Sequence, residues 1–447
     1  MSDDHAPLLV PFQAETGRFA AGTSTPRAFL EACIERIDAL EPRLGAFAAL
    51  DLDAARLAAD AASARWREGR PLSPVDGMPF GVKDVIETAD LPTGMGSPLF
   101  DGYRARFDAA AVSALRGLGA VLVGKTVTTE FASLEPAGTR NPWDLRRTPG
   151  GSSSGSAAAV GAGMLPAALG TQVLGSVIRP AGFCGAYGFK PSFGAINRGG
   201  SLDYLSQSCL GVLAGSLGDA WVTARQIARV VGGDPGHAAL AGPEGLPPVV
   251  RPQVLGLLET PGWEGAEPAA RAALEEVLAA LPPAGVRVVR RRGLAELGAL
   301  EAELGEAEAL SHEVNAWEWR WPLNVFAARD LAAMSGTARA RLALANRLTE
   351  AQYTARLRRR EAMRALHARL LGSVDALVTL SAPGPAPVGL GSTGNPIFAL
   401  PASVLGAPAV TLPMLSVGGM PVGLQLVGFA GRDAALLSLA RFVLGER

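Results

Sequence analysis

From Thr148 to Ile178 the chain carries no Asp, Glu, Lys, Arg or His, and this leaves it few ways to fold. A run this long without charge belongs either in lipid or in a protein core. Lipid fits poorly, because Gly, Ser, Thr, Pro166 and Gln172 interrupt the run, large aliphatics are sparse and no aromatic belt flanks it. A flexible linker fits no better, since the Gly/Ser segment 150–156 leads straight into Ala-Val-Leu text. A phosphate cradle usually brings a cation, and no Lys follows these glycines. The remaining reading is two hydroxyl-bearing loops, 150–156 and Gly175-Ser176, joined by a buried element, with Ala157 to Leu169 as a small-residue helix. Glycine lets backbone approach a ligand and hydroxyls serve as nucleophiles or proton carriers, so the arrangement points to an enzyme.

Composition limits the partners. The chain has 447 residues, 48% hydrophobic and 19% charged, enough for a large globular core. Its 41 basic and 42 acidic residues leave a net charge of −1, so no global field recruits nucleic acid or anionic lipid. Cys33, Cys184 and Cys209 form no CxxC pair and read as small buried apolar residues. The acidic start lacks the basic residues and apolar run of a secretory signal, and a cytoplasmic location is the expectation. Only three of the basic residues are lysine: Lys83, Lys125 and Lys190. Surface ion pairs accept Arg or Lys, whereas only Lys loses its proton when desolvated and so can act as a general base. One of the three is expected to be catalytic and the others structural; the plainer alternative is chance or core packing.

Residues 12–69 read as outer helices, with Ser24 or Thr25 before Pro26 as a helix start. Val75 to Ile86 reads as a strand region whose apolar flanks hold Lys83 inside and lower its pKa. Ala120 to Val123 reads as a buried strand. The segment Gly119 to Thr126 matches GxxxxGK[ST] letter for letter, but a phosphate loop must follow a strand and here the middle residues are the strand. Beyond it, helices are expected at 221–232, 268–281 and 433–444, and strands at 254–258, 286–289, 375–379, 409–412 and 423–427. The text from 294 to 371 is helical and charge-rich, with Arg356, Arg358, Arg359 and Arg360 on a solvated face. Trp317, Trp319 and Trp321 either wall a pocket or pack between helices. Ser381 to Asn395 is a loop long enough to form a substrate-side rim. The fold class expected is α/β: a single large domain over 1–447, with a mixed β-sheet core covered by helices on both faces. Within it, a core lies at about 75–220, a helical cover at about 294–371 and a C-terminal sheet and helix at about 375–444.

A serine nucleophile needs a base. His5, His237, His312 and His367 all lie outside the Gly/Ser stretch, and nothing marks any of them, although triads form in space. No HExxH or Cys/His cluster supports a metal, and no cofactor is expected. A Ser–Lys arrangement is the better candidate.

Three pieces together resemble the amidase signature family: Gly81-Val82-Lys83-Asp84, the run from Thr148-Pro149-Gly150-Gly151-Ser152 through Val160, and Gly175-Ser176-Val177-Ile178-Arg179-Pro180-Ala181. Echoes at Glu130-Phe131-Ala132, Asn141-Pro142-Trp143, Gly188-Phe189-Lys190-Pro191 and Met420-Pro421-Val422-Gly423 extend the likeness over roughly residues 24–440. The resemblance implies a Ser–cis-Ser–Lys amidohydrolase, with Ser176 as nucleophile, Ser152 as the bridging serine with a cis peptide bond, and Lys83 as base. Backbone N–H groups from Val173, Leu174, Gly175 and Ser176 would hold the oxyanion, and Gly151, Ser153 and Arg179 would meet the substrate.

Two departures qualify the likeness. The family commonly has two glycines before the nucleophile where this chain has Leu174-Gly175; if that position needs positive φ, Leu174 carries about 1–2 kcal/mol of strain. That would make a weakened or non-catalytic binding homologue. Arg179 follows the nucleophile by three residues, as in the malonamidase-like branch, where this Arg holds a substrate carboxylate; a buried structural ion pair is the alternative. The expected partner is a small-molecule amide, with no nucleic acid and no membrane, and a homodimer is left open. The other reading is the glutaminase-type subunit of an amidotransferase, which needs partner proteins.

Overall fold

A computed structural model describes residues 9–446, so the acidic start with His5 lies outside the described residues. The strands are β1 (Phe47–Leu50), β2 (Pro79–Lys83), β3 (Val121–Thr126), β4 (Ala167–Gln172), β5 (Tyr187–Lys190), β6 (Cys209–Ala214), β7 (Val254–Leu257), β8 (Arg287–Val289), β9 (Ala376–Leu380), β10 (Ala409–Val417) and β11 (Met420–Val427). They form one 11-stranded sheet in the order β1-β3-β2-β4-β6-β5-β10-β11-β9-β7-β8. The sheet is mixed: β3, β2 and β4 run parallel, as do β9, β7 and β8, while β4 through β9 pair antiparallel. Every residue of β2, β4, β6, β9 and β11 is buried. Successive side chains of a strand point to opposite faces, so helices cover both faces of the sheet. The α/β expectation is met. No helix among the described residues is long and apolar enough to cross a membrane.

The uncharged stretch folds differently from its expected single helix. The helix runs from Ser154 to Gly161 only, and residues 167–172 form β4. Pro166 cannot continue a helix and sits where the chain turns back into the sheet. Gly155 lies against the backbone of Ala46 and Val127, an approach that any side chain would prevent. The outer-helix reading of residues 12–69 also missed β1, a four-residue edge strand on β3.

In the helical cover, Arg358 and Arg359 lie toward solvent but Arg360 does not: it is 5% exposed and donates to Ser206 Oγ at 2.8 Å. The tryptophans divide their roles. Trp319 is buried, Trp317 stacks on Tyr353 with ring centroids 5.5 Å apart, and Trp321 is 77% exposed. All three cysteines are buried and free.

Candidate active site

Parallel pairing sets the geometry. Val82 on β2 lies opposite Leu169 on β4, which brings Lys83 and Thr171, one and two residues further along, to the carboxyl ends of neighbouring strands. In open α/β sheets this is the edge where ligand sites form. The helix Ser154–Gly161 returns to β4 from the same edge, which puts Ser152 at its start. Ser176 sits in the turn between β4 and the helix Ile178–Cys184.

Lys83 is fully buried. Its Nζ lies 2.7 Å from Ser152 Oγ, 2.7 Å from Thr171 Oγ1 and 3.4 Å from the Thr171 carbonyl. Among the described residues no carboxylate pairs with it. Burial pulls the Lys83 ammonium down to about 7, and the more distant charge of Asp203 opposes the shift only weakly. The other two lysines are also buried and serve structure: Lys125 pairs with Asp84 at 3.0 Å, and Lys190 donates to the Pro191 carbonyl at 2.8 Å. Lys125 lies near the end of β3, so the GxxxxGK[ST] match is strand and ion pair rather than a phosphate loop.

The peptide bond between Gly151 and Ser152 is cis. Ser176 is 8% exposed and its hydroxyl has no hydrogen-bond partner among the described residues. It lines a narrow cleft of about 20 Å³ together with Val173, Leu174 and Arg179. Leu174 is not among the non-glycine residues with positive φ, so the strain anticipated for it is absent. Gly175 is needed for space: a Cβ there would sit 2.9 Å from that of Ala399. The N–H groups of Val173, Leu174, Gly175 and Ser176 meet no acceptor among the described residues, whereas those of Val177 and Ile178 both donate to Gln172 Oε1, at 2.9 and 3.0 Å. Successive free N–H groups, the last three next to a free hydroxyl, can receive a developing oxyanion.

Arg179 is 1% exposed. One Nη donates to the Gly151 carbonyl at 2.7 Å and to Thr393 Oγ1 at 3.1 Å, while Nε and the other Nη have no partner. The buried ion pair considered from sequence is therefore not formed among the described residues. Burial lowers this guanidinium to about 10, which leaves it charged at neutral pH. Thr393 brings the 381–395 loop against Arg179. Ser153, by contrast, is fully buried, donates to the Thr171 carbonyl at 3.3 Å and does not line the cleft. Gly151 meets Arg179 through its carbonyl and likewise stays outside the lining.

The cleft also contains Phe131, from the Glu130-Phe131-Ala132 echo, and Trp319, one of the three tryptophans, together with Asp203, Asn315 and Arg341, which no motif announced. Arg341 lies over the Trp319 ring, 5.8 Å from its centroid. Its helix, Gly336–Arg347, is pinned to the core where the Ser335 N–H donates to Glu130 Oε2 at 3.1 Å and Thr337 Oγ1 to Glu135 Oε2 at 2.6 Å. The segment that carries Asp203 is tied down by Ser208 Oγ, which donates to the Asp203 carbonyl at 2.8 Å, and by Arg198, which pairs with Asp234 at 2.7 Å and donates to the Leu205 carbonyl at 2.8 Å. Asn315 Oδ1 is buried without a partner. Arg341 was hidden in charge-rich helical text, and Asp203 and Asn315 in sequence without any pattern.

Comparison with known proteins agrees with this architecture. The Amidase family model matches residues 28–437. One subunit of the glutamyl-tRNA(Gln) amidotransferase of Chloroflexus aggregans is 35% identical over 450 residues, covering 94% of this chain and 92% of its own. A crystal structure of an amidase superposes with a TM-score of 0.83 at 31% identity, over 98% of this chain and 99% of that one. The native peptide amidase of Stenotrophomonas maltophilia gives 0.79 at 27% identity, over 96% and 95%. A sequence match over most of the length, together with a shared fold, places this chain in the amidase signature family, whose members are enzymes of amide C–N bonds.

Proposed function

We propose that the chain cleaves a small carboxamide through an acyl-enzyme on Ser176, and that the substrate carries a carboxylate received by Arg179. The observation that carries this reading is Lys83. A lysine with no exposure, no carboxylate partner and hydroxyls at 2.7 Å on two sides is favoured as the neutral amine. Its lone pair then faces Ser152, while its N–H groups satisfy the Thr171 hydroxyl and carbonyl.

In the reaction, Ser176 turns its free hydroxyl toward Ser152 and attacks the amide carbon. Its proton passes to Ser152, whose own proton passes to Lys83. The oxyanion settles on the N–H groups of Leu174, Gly175 and Ser176. Collapse breaks the C–N bond, and the amine leaves with the proton returned along the same path. Water then enters by the same relay and releases the acid. The unpartnered N–H groups of Arg179 match a carboxylate, and two guanidinium groups against one carboxylate in the cleft favour an anionic substrate.

A fluorophosphonate tests the chemistry: the adduct should map to Ser176 and fade in Lys83→Ala. An adduct on another residue, or one undiminished in the variant, would remove this reading. For the substrate class, Arg179→Ala should raise KM at least roughly tenfold for an acidic amide and much less for a neutral one. Equal effects on both would leave Arg179 only its hold on the Gly151 carbonyl.

A second reading is favoured by the Chloroflexus relative, which is part of an amidotransferase. Here the same acyl-enzyme step would release ammonia for a partner to use. Full turnover by the isolated chain favours the first reading; a labelled Ser176 with turnover only in the presence of partner proteins favours the second.

A further inference from the structure

The three amides that face the cleft are each fixed from behind. In a trans peptide the C=O and N–H point in opposite directions, so gripping a carbonyl aims the next residue's N–H the other way. Gln207 Nε2 donates to the Val173 carbonyl at 3.1 Å, which aims the Leu174 N–H. Ser403 Oγ donates to the Leu174 carbonyl at 3.2 Å, which aims the Gly175 N–H. The Arg179 N–H donates to the Gly175 carbonyl at 3.0 Å, which aims the Ser176 N–H. The last grip belongs to the helix that follows the nucleophile. The first two come from side chains far away in sequence.

We infer that Gln207 and Ser403 are positioning residues for the oxyanion cradle: they fix the two peptide planes ahead of the nucleophile so that N–H, and not C=O, faces the reacting carbonyl. A flipped plane would present a carbonyl oxygen to the developing anion and reverse the sign of the interaction. Glycine at 175 makes its loop the easiest place for such a flip.

The hydrogen bonds form a chain on the side away from the cleft. Gln172 Oε1 takes the N–H groups of Val177 and Ile178, its Nε2 donates to Ser403 Oγ at 3.1 Å, and the Ser403 hydroxyl donates in turn to the Leu174 carbonyl. Gln207 is fully buried and leaves its Oε1 without a partner. Stability alone would select against that orphaned acceptor. Its donor must therefore be of use where it stands.

The inference rests on the acyl-enzyme reading, and the test separates the two. Ser403→Ala and Gln207→Met each remove one grip at nearly constant volume, and Ser403→Thr restores the donor. The probes are a small alkyl boronic acid, which becomes a tetrahedral anion on an active serine, and a planar carboxylate competitor. Each loss variant should bind the boronate about tenfold more weakly, an order below the effect of removing an oxyanion donor outright. The carboxylate affinity should hold within about twofold, kcat should fall with the boronate affinity while KM does not, and Ser403→Thr should recover both. Equal weakening toward both probes, or unchanged boronate affinity with a labelled Ser176, overturns the positioning role and leaves the acyl-enzyme reading standing. A wild-type Ser176 that takes neither fluorophosphonate nor boronate overturns both.

Discussion

Thr171→Val is the sharpest probe of the base. The Thr171 hydroxyl sits 2.7 Å from Lys83 Nζ at the buried end of β4, and valine fills nearly the same space without accepting a hydrogen bond. An acceptor stabilises an ammonium by about 1.5–3 kcal/mol and a neutral amine by about 0.5–1.5 kcal/mol. The difference of roughly 1–1.5 kcal/mol corresponds to about one pH unit. Removing the hydroxyl therefore disfavours the charged form and lowers the Lys83 pKa further below about 7. Because the neutral amine is the base, the acid limb of kcat/KM should move down by about one pH unit. The plateau should drop about tenfold, since the lone pair of Lys83 loses one of the contacts that aim it. The assay is the pH profile of ammonia release from about pH 5 to 9, which spans both pKa values, beside the pH dependence of fluorophosphonate labelling, which reports the free enzyme. A limb that moves up, or one that stays put while activity persists, would mean that Lys83 is not the titrating base.

Other consequences are as direct. Leu174→Gly should raise kcat/KM for amides with bulkier acyl groups by about tenfold, because the Leu174 side chain lines a narrow cleft; identical kinetics on every substrate tried would show that it does not limit size. Asp234→Ala strands the Arg198 guanidinium in the interior and should cost about 3–5 kcal/mol in urea unfolding. A loss under about 1 kcal/mol would mean that water reaches the pair. Lys83→Ala should reduce kcat by about 10²–10⁴-fold without a large change in KM, measured on whichever amide the wild type turns over; a KM effect alone would make Lys83 a binding residue.

The parts of this protein readable in its sequence are those whose reasons are local. The scarcity of lysine marked Lys83 because burial of an amine is a demand that Arg cannot meet, and the Gly/Ser text around Ser152 and Ser176 marked two loops. The helix-to-strand change between Gly161 and Ala167 was misread because an uncharged run has no polar face to reveal its period; Pro166 was the signal to weigh. Four-residue β1 was lost among helices because its alternation is too short to stand out. Gln207, Asp203, Arg341 and Ser403 could not be read at all. Each meets the cleft or its loop from far along the chain, and only the fold brings them there.

That strand order has a consequence for synthesis. The strands before residue 215 and those between 254 and 380 do not pair with each other; β10 and β11 join them. The same late segment supplies Thr393 to Arg179, Ala399 against Gly175 and Ser403 to Leu174. A chain still emerging from the ribosome holds both serines and the lysine yet lacks the pieces that shape their loop. On the proposed reaction, catalytic competence would arrive only with the last stretch of translation, and a product that ends before Thr393 should be inert.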